Sequence, residues 1–310
     1  MSVASPTLPT NSTEVLQQEY THRALVFHCI ISTLALLILI NNATVFLIYN
    51  RLKSLQSGKN FLLVCLSFTD FLAGAMAIPF SVAASVVSHG NSNNKALFFA
   101  SSAISDLVII CNVSTLFLIF LERYLAICHP IFTRANMTKS KTKNALILSW
   151  TLSFVMALVP LTWSYEMLLP YESSKAHQKM AHLLDSYHSM FVSVFCFFLP
   201  SCFMLFFSVT LLRAVMFVSP ACTLLQKRRV RCRRKAYVML ICMYVLLLIT
   251  WSPLIVIRML IYTKENLVIS TEVLEVLMTI RYLTSFMNPF IYTIIKYDFR
   301  QALFDLFTCD

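Results

Sequence analysis

Glycine is nearly absent, with 3 in 310 residues, and charge is scarce: Asp, Glu, Lys and Arg together make up 13%, against the ~25% typical of soluble domains. A water-soluble chain of this length could not cover its surface with so little charge. Missing glycine excludes collagen, and a hydrophobic content of 58% with a mean hydropathy of +0.73 excludes disorder. A cleavable signal peptide is not visible either, because residues 1–23 are polar and hold no apolar core; the first apolar run is expected to insert the chain itself. The 10 cysteines show neither the spacing of a metal knuckle nor a secreted disulfide framework. Strand alternation and internal repeats are lacking, which disfavours a membrane barrel and gives no support to a repeat-built transporter. What remains is an all-α integral membrane protein.

What the chain does contain is a series of apolar runs. A bilayer core takes about 20 apolar residues per helix, and seven runs of that order can be read: 24–49, 60–87, 97–128, 144–165, 188–217, 236–262 and 272–295. They divide the chain into a terminus, 1–23, a seven-helix domain, 24–295, and a surface helix and tail, 296–310. Pro79, Pro160, Pro200, Pro253 and Pro289 fall inside runs. Each would cost a soluble helix ~3 kcal/mol, but neighbouring helices in a membrane bundle re-satisfy the freed backbone groups. The net charge of +11 sits in short loops, unlike a nucleic-acid-binding face. Segments 50–59, 129–143, 218–235 and 296–310 carry 16 Lys and Arg; segments 1–23, 88–96, 166–187 and 263–271 carry 5. The positive-inside rule makes the first set cytoplasmic, so the N-terminus is outside, the C-terminus inside and the number of spans odd. This predicts a multi-pass plasma-membrane protein set among lipids, with no nucleic-acid partner. Asn11-Ser12-Thr13 in the outer terminus is a glycosylation acceptor, although such tripeptides also arise by chance.

Particular residues then narrow the class. Arg123, between Glu122 and Tyr124, closes the third run, and Asp70 is a lone carboxylate deep in the second. Trp251 precedes Pro253 by two positions in the sixth, and Asn288-Pro289-Phe290-Ile291-Tyr292 ends the seventh. Asn42 lies in the first run and Trp150 in the fourth. Together and in this order they resemble the signature positions of rhodopsin-like (class A) G-protein-coupled receptors, across residues ~20–307, essentially the whole chain by span arithmetic. Each also has a plain physical reading. An Arg at the end of a span must be paired or hydrated, by Glu122 or by snorkelling to the interface. A buried unpaired carboxylate protonates or binds a cation. Pro253 kinks its helix, so Trp251 is either a core aromatic or a coupling between pocket packing and helix swing.

The resemblance implies that Glu122, Arg123, Tyr124, Trp251, Pro253, Asn288, Pro289 and Tyr292 form an activation switch. It implies that Arg123 meets the C-terminal helix of a heterotrimeric G protein. It also implies a sodium pocket made by Asp70, Asn112, Thr284, Ser285 and Asn288; a protonated Asp70 in a polar network is the alternative. Asn112 stands about three helical turns from Arg123, at the level this requires. Residues 296–307 are amphipathic, with Phe299, Leu303, Phe304 and Phe307 on one face, as in a surface helix. Cys309 is a palmitoylation candidate.

The resemblance is incomplete. Phe98 stands where the family has an outer Cys on helix three, and 166–187 contains no Cys, so the usual disulfide is absent and the outer loop less constrained. Arg233 replaces the acid that usually holds the switch Arg from helix six; like charges cannot lock, which predicts raised agonist-free signalling. Ser208 replaces the usual Tyr of helix five, which acts in the opposite direction. Thr308 is the only hydroxyl beyond residue 297, so phosphorylation-driven arrestin binding is expected to be weak.

Asp106 and Arg281 fall at pocket depth and Arg258 near the outer mouth; with Ser105 and Trp251 they are the candidate ligand-binding residues. Intramembrane charges cost ~2.5–3.5 kcal/mol each and usually face the bundle interior. Asp106 and Arg281 could pair and leave the pocket near neutral; otherwise Arg258 and Arg281 favour an anionic ligand, or Asp106 a cationic one. By resemblance, Ser105 stands where amine receptors carry Asp, Arg258 where adenosine receptors carry Asn, and Tyr282 where opsins carry Lys, which argues against those three. The expected ligand is an extracellular small molecule or peptide. The rival class is a seven-helix transporter or channel, for which Asp70, Asp106 and Arg281 are the few relay candidates. An enzyme is disfavoured, since no nucleophile–base pair, metal cluster or phosphate loop can be read.

Overall fold

The structure is a computed structural model that describes residues 10–56, 58–89, 95–168, 175–216, 224–263 and 269–308. Cys309 and the side chains of Asn11, Arg233 and Phe307 lie outside the described residues. Among the described residues seven long helices follow one another. The first is Thr10–Arg51, the second 58–89 and the third Lys95–Cys128. The fourth is Lys139–Leu158, continued past a turn by Leu161–Leu168. The fifth is 175–216, the sixth Leu224–Thr263 and the seventh Thr271–Ile295.

Six of them hold segments long and apolar enough to cross a membrane: His22–Arg51, Asn60–Val87, Ala96–Cys128, Lys139–Ser164, Lys175–Ala214 and Arg234–Ile261. The seventh, at 25 residues, has the length. Arg281, Thr284, Ser285 and Asn288 lower its hydropathy, and all four are buried against the other helices. Large apolar side chains point the opposite way: Leu36, Ile40, Leu148, Phe206, Ile249 and Ile294 are all exposed on the outside of the bundle. Only lipid can cover such a surface.

The helices begin earlier than the apolar runs do. The first starts at Thr10, not 24, the fifth at Lys175, not 188, and the sixth at Leu224, not 236. The extension of the fifth is amphipathic, burying Ala181, Ser186, His188 and Ser189 while Lys175 and Lys179 stay exposed. Hydropathy falls there, but backbone hydrogen bonding continues. Much of the segment expected as an outer loop, 166–187, is therefore helix.

Two prolines explain the widest turns. A proline clashes with the carbonyl four residues back and cannot bond to it. For Pro79 and Pro200 those carbonyls belong to residues 75 and 196, and both fall inside π-helical turns, Ala73–Ala77 and Val192–Phe198. There the N–H of Ile78 reaches the carbonyl of Ala73, and that of Leu199 the carbonyl of Val194, each five residues back. The widened turn makes room for the ring. At Pro160 the fourth helix breaks into a turn instead. Gly74, in the first of these π turns, lets the second helix approach the first: a Cβ would lie 3.0 Å from the Ala35 carbonyl oxygen, a backbone atom that cannot move aside cheaply.

At the basic end the short helices Lys53–Leu55 and Pro130–Asn136 follow the first and third helices, and Tyr297–Thr308 follows the seventh. The last helix divides its apolar face between the bundle and the outside. Phe299 and Ala302 are buried, and Phe299 packs on Tyr292 at 5.5 Å between ring centres, but Phe304 is 65% exposed. Five residues of helix is a rotation of ~140°, so Phe299 holds the bundle while Phe304 faces outward. Lys296 fixes the start of this helix, donating to the Asn60 side-chain oxygen at 2.6 Å.

Candidate functional site

The signature residues lie along one axis inside the bundle. At the basic end, Arg123 and Glu122 are about one-fifth exposed, with guanidinium and carboxylate 3.7 Å apart. Tyr124 stacks on Phe207 of the fifth helix at 4.8 Å. Tyr292 is fully buried and pairs its hydroxyl with Ser67. Arg233 lies on the continuous sixth helix, its side chain outside the described residues. Two tyrosines of that helix close it against the fifth: Tyr237 donates to the carbonyl of Ser208, and Tyr244 to that of Ser201 at 2.7 Å. Sequence reading missed both, because a tyrosine bonding a neighbouring backbone carbonyl has no motif.

One level further in, Asp70 has no exposed surface. Asn112 donates to one of its oxygens at 2.6 Å and Asn288 to the other at 2.8 Å. The second, third and seventh helices are thus joined at one carboxylate. The side-chain oxygens of Asn112 and Asn288 are buried and without hydrogen-bond partners. Thr284 pairs its hydroxyl with Thr250 of the sixth helix. Asn42 ties the first helix to the seventh, donating to the Ser285 carbonyl at 3.1 Å. Trp150 ties the fourth to the third through Thr115 at 2.9 Å.

Toward the opposite end the bundle opens into a cavity of about 380 Å³, with a smaller chamber of about 40 Å³ beneath it. Trp251, Ile109 and Phe197 line the lower chamber; Phe98, Phe99, Leu161, Leu274 and Met278 line the upper. Ser105, Asp106, Leu254, Arg258 and Arg281 border both. Asp106 pairs with Arg258, not with Arg281: the guanidinium donates twice, at 2.6 and 3.2 Å. The reason is placement. Arg258 comes down from the sixth helix directly onto the third, whereas Arg281 is turned to its own neighbour and the floor of the cavity. It donates to the Tyr282 hydroxyl at 2.5 Å and to Ser105 at 3.3 Å. Its guanidinium lies 4.5 Å from the Tyr282 ring centre and 5.7 Å from that of Trp251. Among the described residues no carboxylate forms an ion pair with it.

Two further polar residues of the cavity wall escaped sequence reading. Asp185, on the extended fifth helix, accepts the Trp163 indole N–H at 2.7 Å, and His188 meets the Met156 carbonyl at 3.0 Å. Both bind the fifth helix to the fourth. Asp185 lies in the segment expected as loop, and His188 opens the fifth apolar run. The seven described cysteines are all free. No group of three His, Cys, Asp or Glu suited to a metal occurs among the described residues.

Comparison with known proteins agrees with this layout. Residues 41–292 match the family model described as 7 transmembrane receptor (rhodopsin family). The neuromedin U receptor homolog nmur-2 of Caenorhabditis elegans is 26% identical, across 88% of this chain and 77% of that protein. Melanopsin of Phodopus sungorus is 24% identical, across 91% of this chain but 63% of the relative. The histamine H2 receptor of Cavia porcellus is 23% identical, across 94% and 82%. The transporter or channel alternative is not favoured.

Proposed function

Since the chain belongs to the rhodopsin family of seven-transmembrane receptors and is a G-protein-coupled receptor, we propose that a ligand in the cavity at Arg258 and Arg281 controls the exposure of Arg123 to a G protein. The basic end is then cytoplasmic and the cavity extracellular, in the plasma membrane. The observation that carries this reading is the contact of Arg281 with Trp251, two residues before the proline of the sixth helix. A ligand that moves Arg281 changes what the ring packs against beside the kink. That helix reaches the basic end and is closed there on the fifth by Tyr237. The ligand shifts the resting equilibrium only by its differential affinity for the open state. The ligands that the relatives' names imply differ from one another, so none is carried over.

Arg233, standing where an acid would hold Arg123, supports raised agonist-free activity. Asp70, Asn112, Ser285 and Asn288 would hold a sodium ion: the unpartnered amide oxygens beside a buried carboxylate are hard oxygen donors. The ion would supply the positive charge that Asp70 lacks. Thr284, whose hydroxyl is paired with Thr250, keeps a lone pair with which it would complete the set. Glycosylation at Asn11, palmitoylation at Cys309 and a coat of membrane lipid complete the reading, with neither enzymatic chemistry nor a nucleic-acid partner.

The test is agonist-free signalling in cells, read through cAMP and calcium and normalised to surface expression, for wild type beside Arg123→Ala. Wild type should signal above mock-transfected cells and the variant should not. Equal signals from wild type and mock would remove the basal-activity reading.

A further inference from the structure

We propose that the outer cavity takes a small organic acid, one carboxylate on an apolar body, and that Arg281 is its anchor; the inference rests on the receptor reading and names the ligand class of that site. Arg281 is 7% exposed, its Nε has no hydrogen-bond partner, and no carboxylate among the described residues neutralises it. Its neighbours, Tyr282, Ser105 and the Trp251 ring, are neutral. A guanidinium taken out of water without a counter-charge is unfavourable unless something supplies one. It stands on the border of both cavities, where a ligand's acid group can reach its planar fork.

The other charged groups facing the cavity do not offer the same vacancy. Asp106 is closed by two hydrogen bonds from Arg258. Asp185 is only partly buried and already holds the Trp163 N–H. His188 is turned to a backbone carbonyl. The rest of the wall, including Phe99, Leu161, Ile261, Leu274 and Met278, is apolar, and 380 Å³ lies within the range of small-molecule sites. An acid with an aromatic or branched body satisfies both halves. Binding would also compete for the guanidinium with Trp251, which links occupancy to the sixth helix.

The experiment is thermal unfolding of the purified full-length receptor with 4-phenylbutyrate, 2-naphthoate and indole-3-propionate, each beside its primary amide and the matching amine. The acids should raise the melting temperature saturably and the amides and amines should not. Arg281→Gln should weaken the acid effect at least tenfold in midpoint concentration, and Arg281→Lys less. Without probes, Arg281→Gln should melt no lower than wild type, because it removes an uncompensated charge. The proposal is overturned if amines stabilise and acids do not, which would make Asp185 the anchor of a cationic ligand. It is overturned equally if no acid stabilises at millimolar concentration, if Arg281→Gln responds to acids like wild type, or if that variant alone melts lower. Nucleotide exchange on a reconstituted G protein separates the two readings: exchange with no acid effect sinks this one alone, and acid binding with no exchange sinks the receptor reading.

Discussion

The polar cluster at Asp70 and the polar cluster at Arg281 lie in the same bundle and are out of balance in opposite directions. At Asp70 both carboxylate oxygens have donors, and the surplus is of oxygens: those of Asn112 and Asn288 face nothing. At Arg281 the surplus is a positive charge and an unpartnered N–H. The first joins three helices and holds the middle of the bundle; the second joins no helix to another by an ion pair. A polar group that only stabilised a fold would be matched by its neighbours. The inner cluster is nearly so, with room for a cation, and among the described residues the outer cluster is short of an anion. One belongs to the frame and the other to what the frame receives.

The most severe way to break this contrast is Asp70→Leu. It leaves two buried amide groups without their acceptor, and a loss of about 2–5 kcal/mol follows, read as a fall in melting temperature and the disappearance of any sodium effect. Asp106→Ala should cost less, about 1–3 kcal/mol, because its partner Arg258 is 34% exposed and can reach water. It should also sharpen the contrast, tightening acid binding by removing a carboxylate that borders both chambers; a binding titration on the stable fraction decides this. Tyr237→Phe removes one buried hydrogen bond to Ser208, worth about 1 kcal/mol. Its larger readout is functional, with agonist-free nucleotide exchange rising as the sixth helix loses a tie to the fifth. The control is Glu272→Gln, which cuts an ion pair to Arg23 whose partners are 62% and 68% exposed. Stability should change by no more than about 0.5 kcal/mol, and a larger loss would mean that surface charge, not the buried clusters, governs this bundle.

The spans were legible because hydropathy is a one-dimensional signal, and Asp70, Asn112, Asn288 and Tyr292 through the resemblance of their positions to the receptor family's signature. Which charges meet across helices was not legible. Asp106 and Arg281 share a depth by spacing, with Arg258 nearer the mouth, yet Asp106 meets Arg258: the choice depends on how the third, sixth and seventh helices are rotated about their axes, which spacing does not encode. The same holds for Thr284, at the level of Asp70 but turned to Thr250. Helix starts at Lys175 and Leu224 escaped because polar residues extend a helix without extending an apolar run. That Phe299 enters the bundle while Phe304 stays outside it was not legible either, because the two edges of one amphipathic face meet different surroundings.

Guanine-nucleotide exchange on purified heterotrimeric G proteins, with wild type, Arg123→Ala and empty nanodiscs of the same lipid compared, tests the central claim that this receptor signals through Arg123 without added ligand. Wild type should accelerate exchange without added ligand, more slowly in sodium chloride than in choline chloride, and Arg123→Ala should not accelerate it at all. Equal rates from wild type, variant and empty discs across the G-protein classes would contradict it.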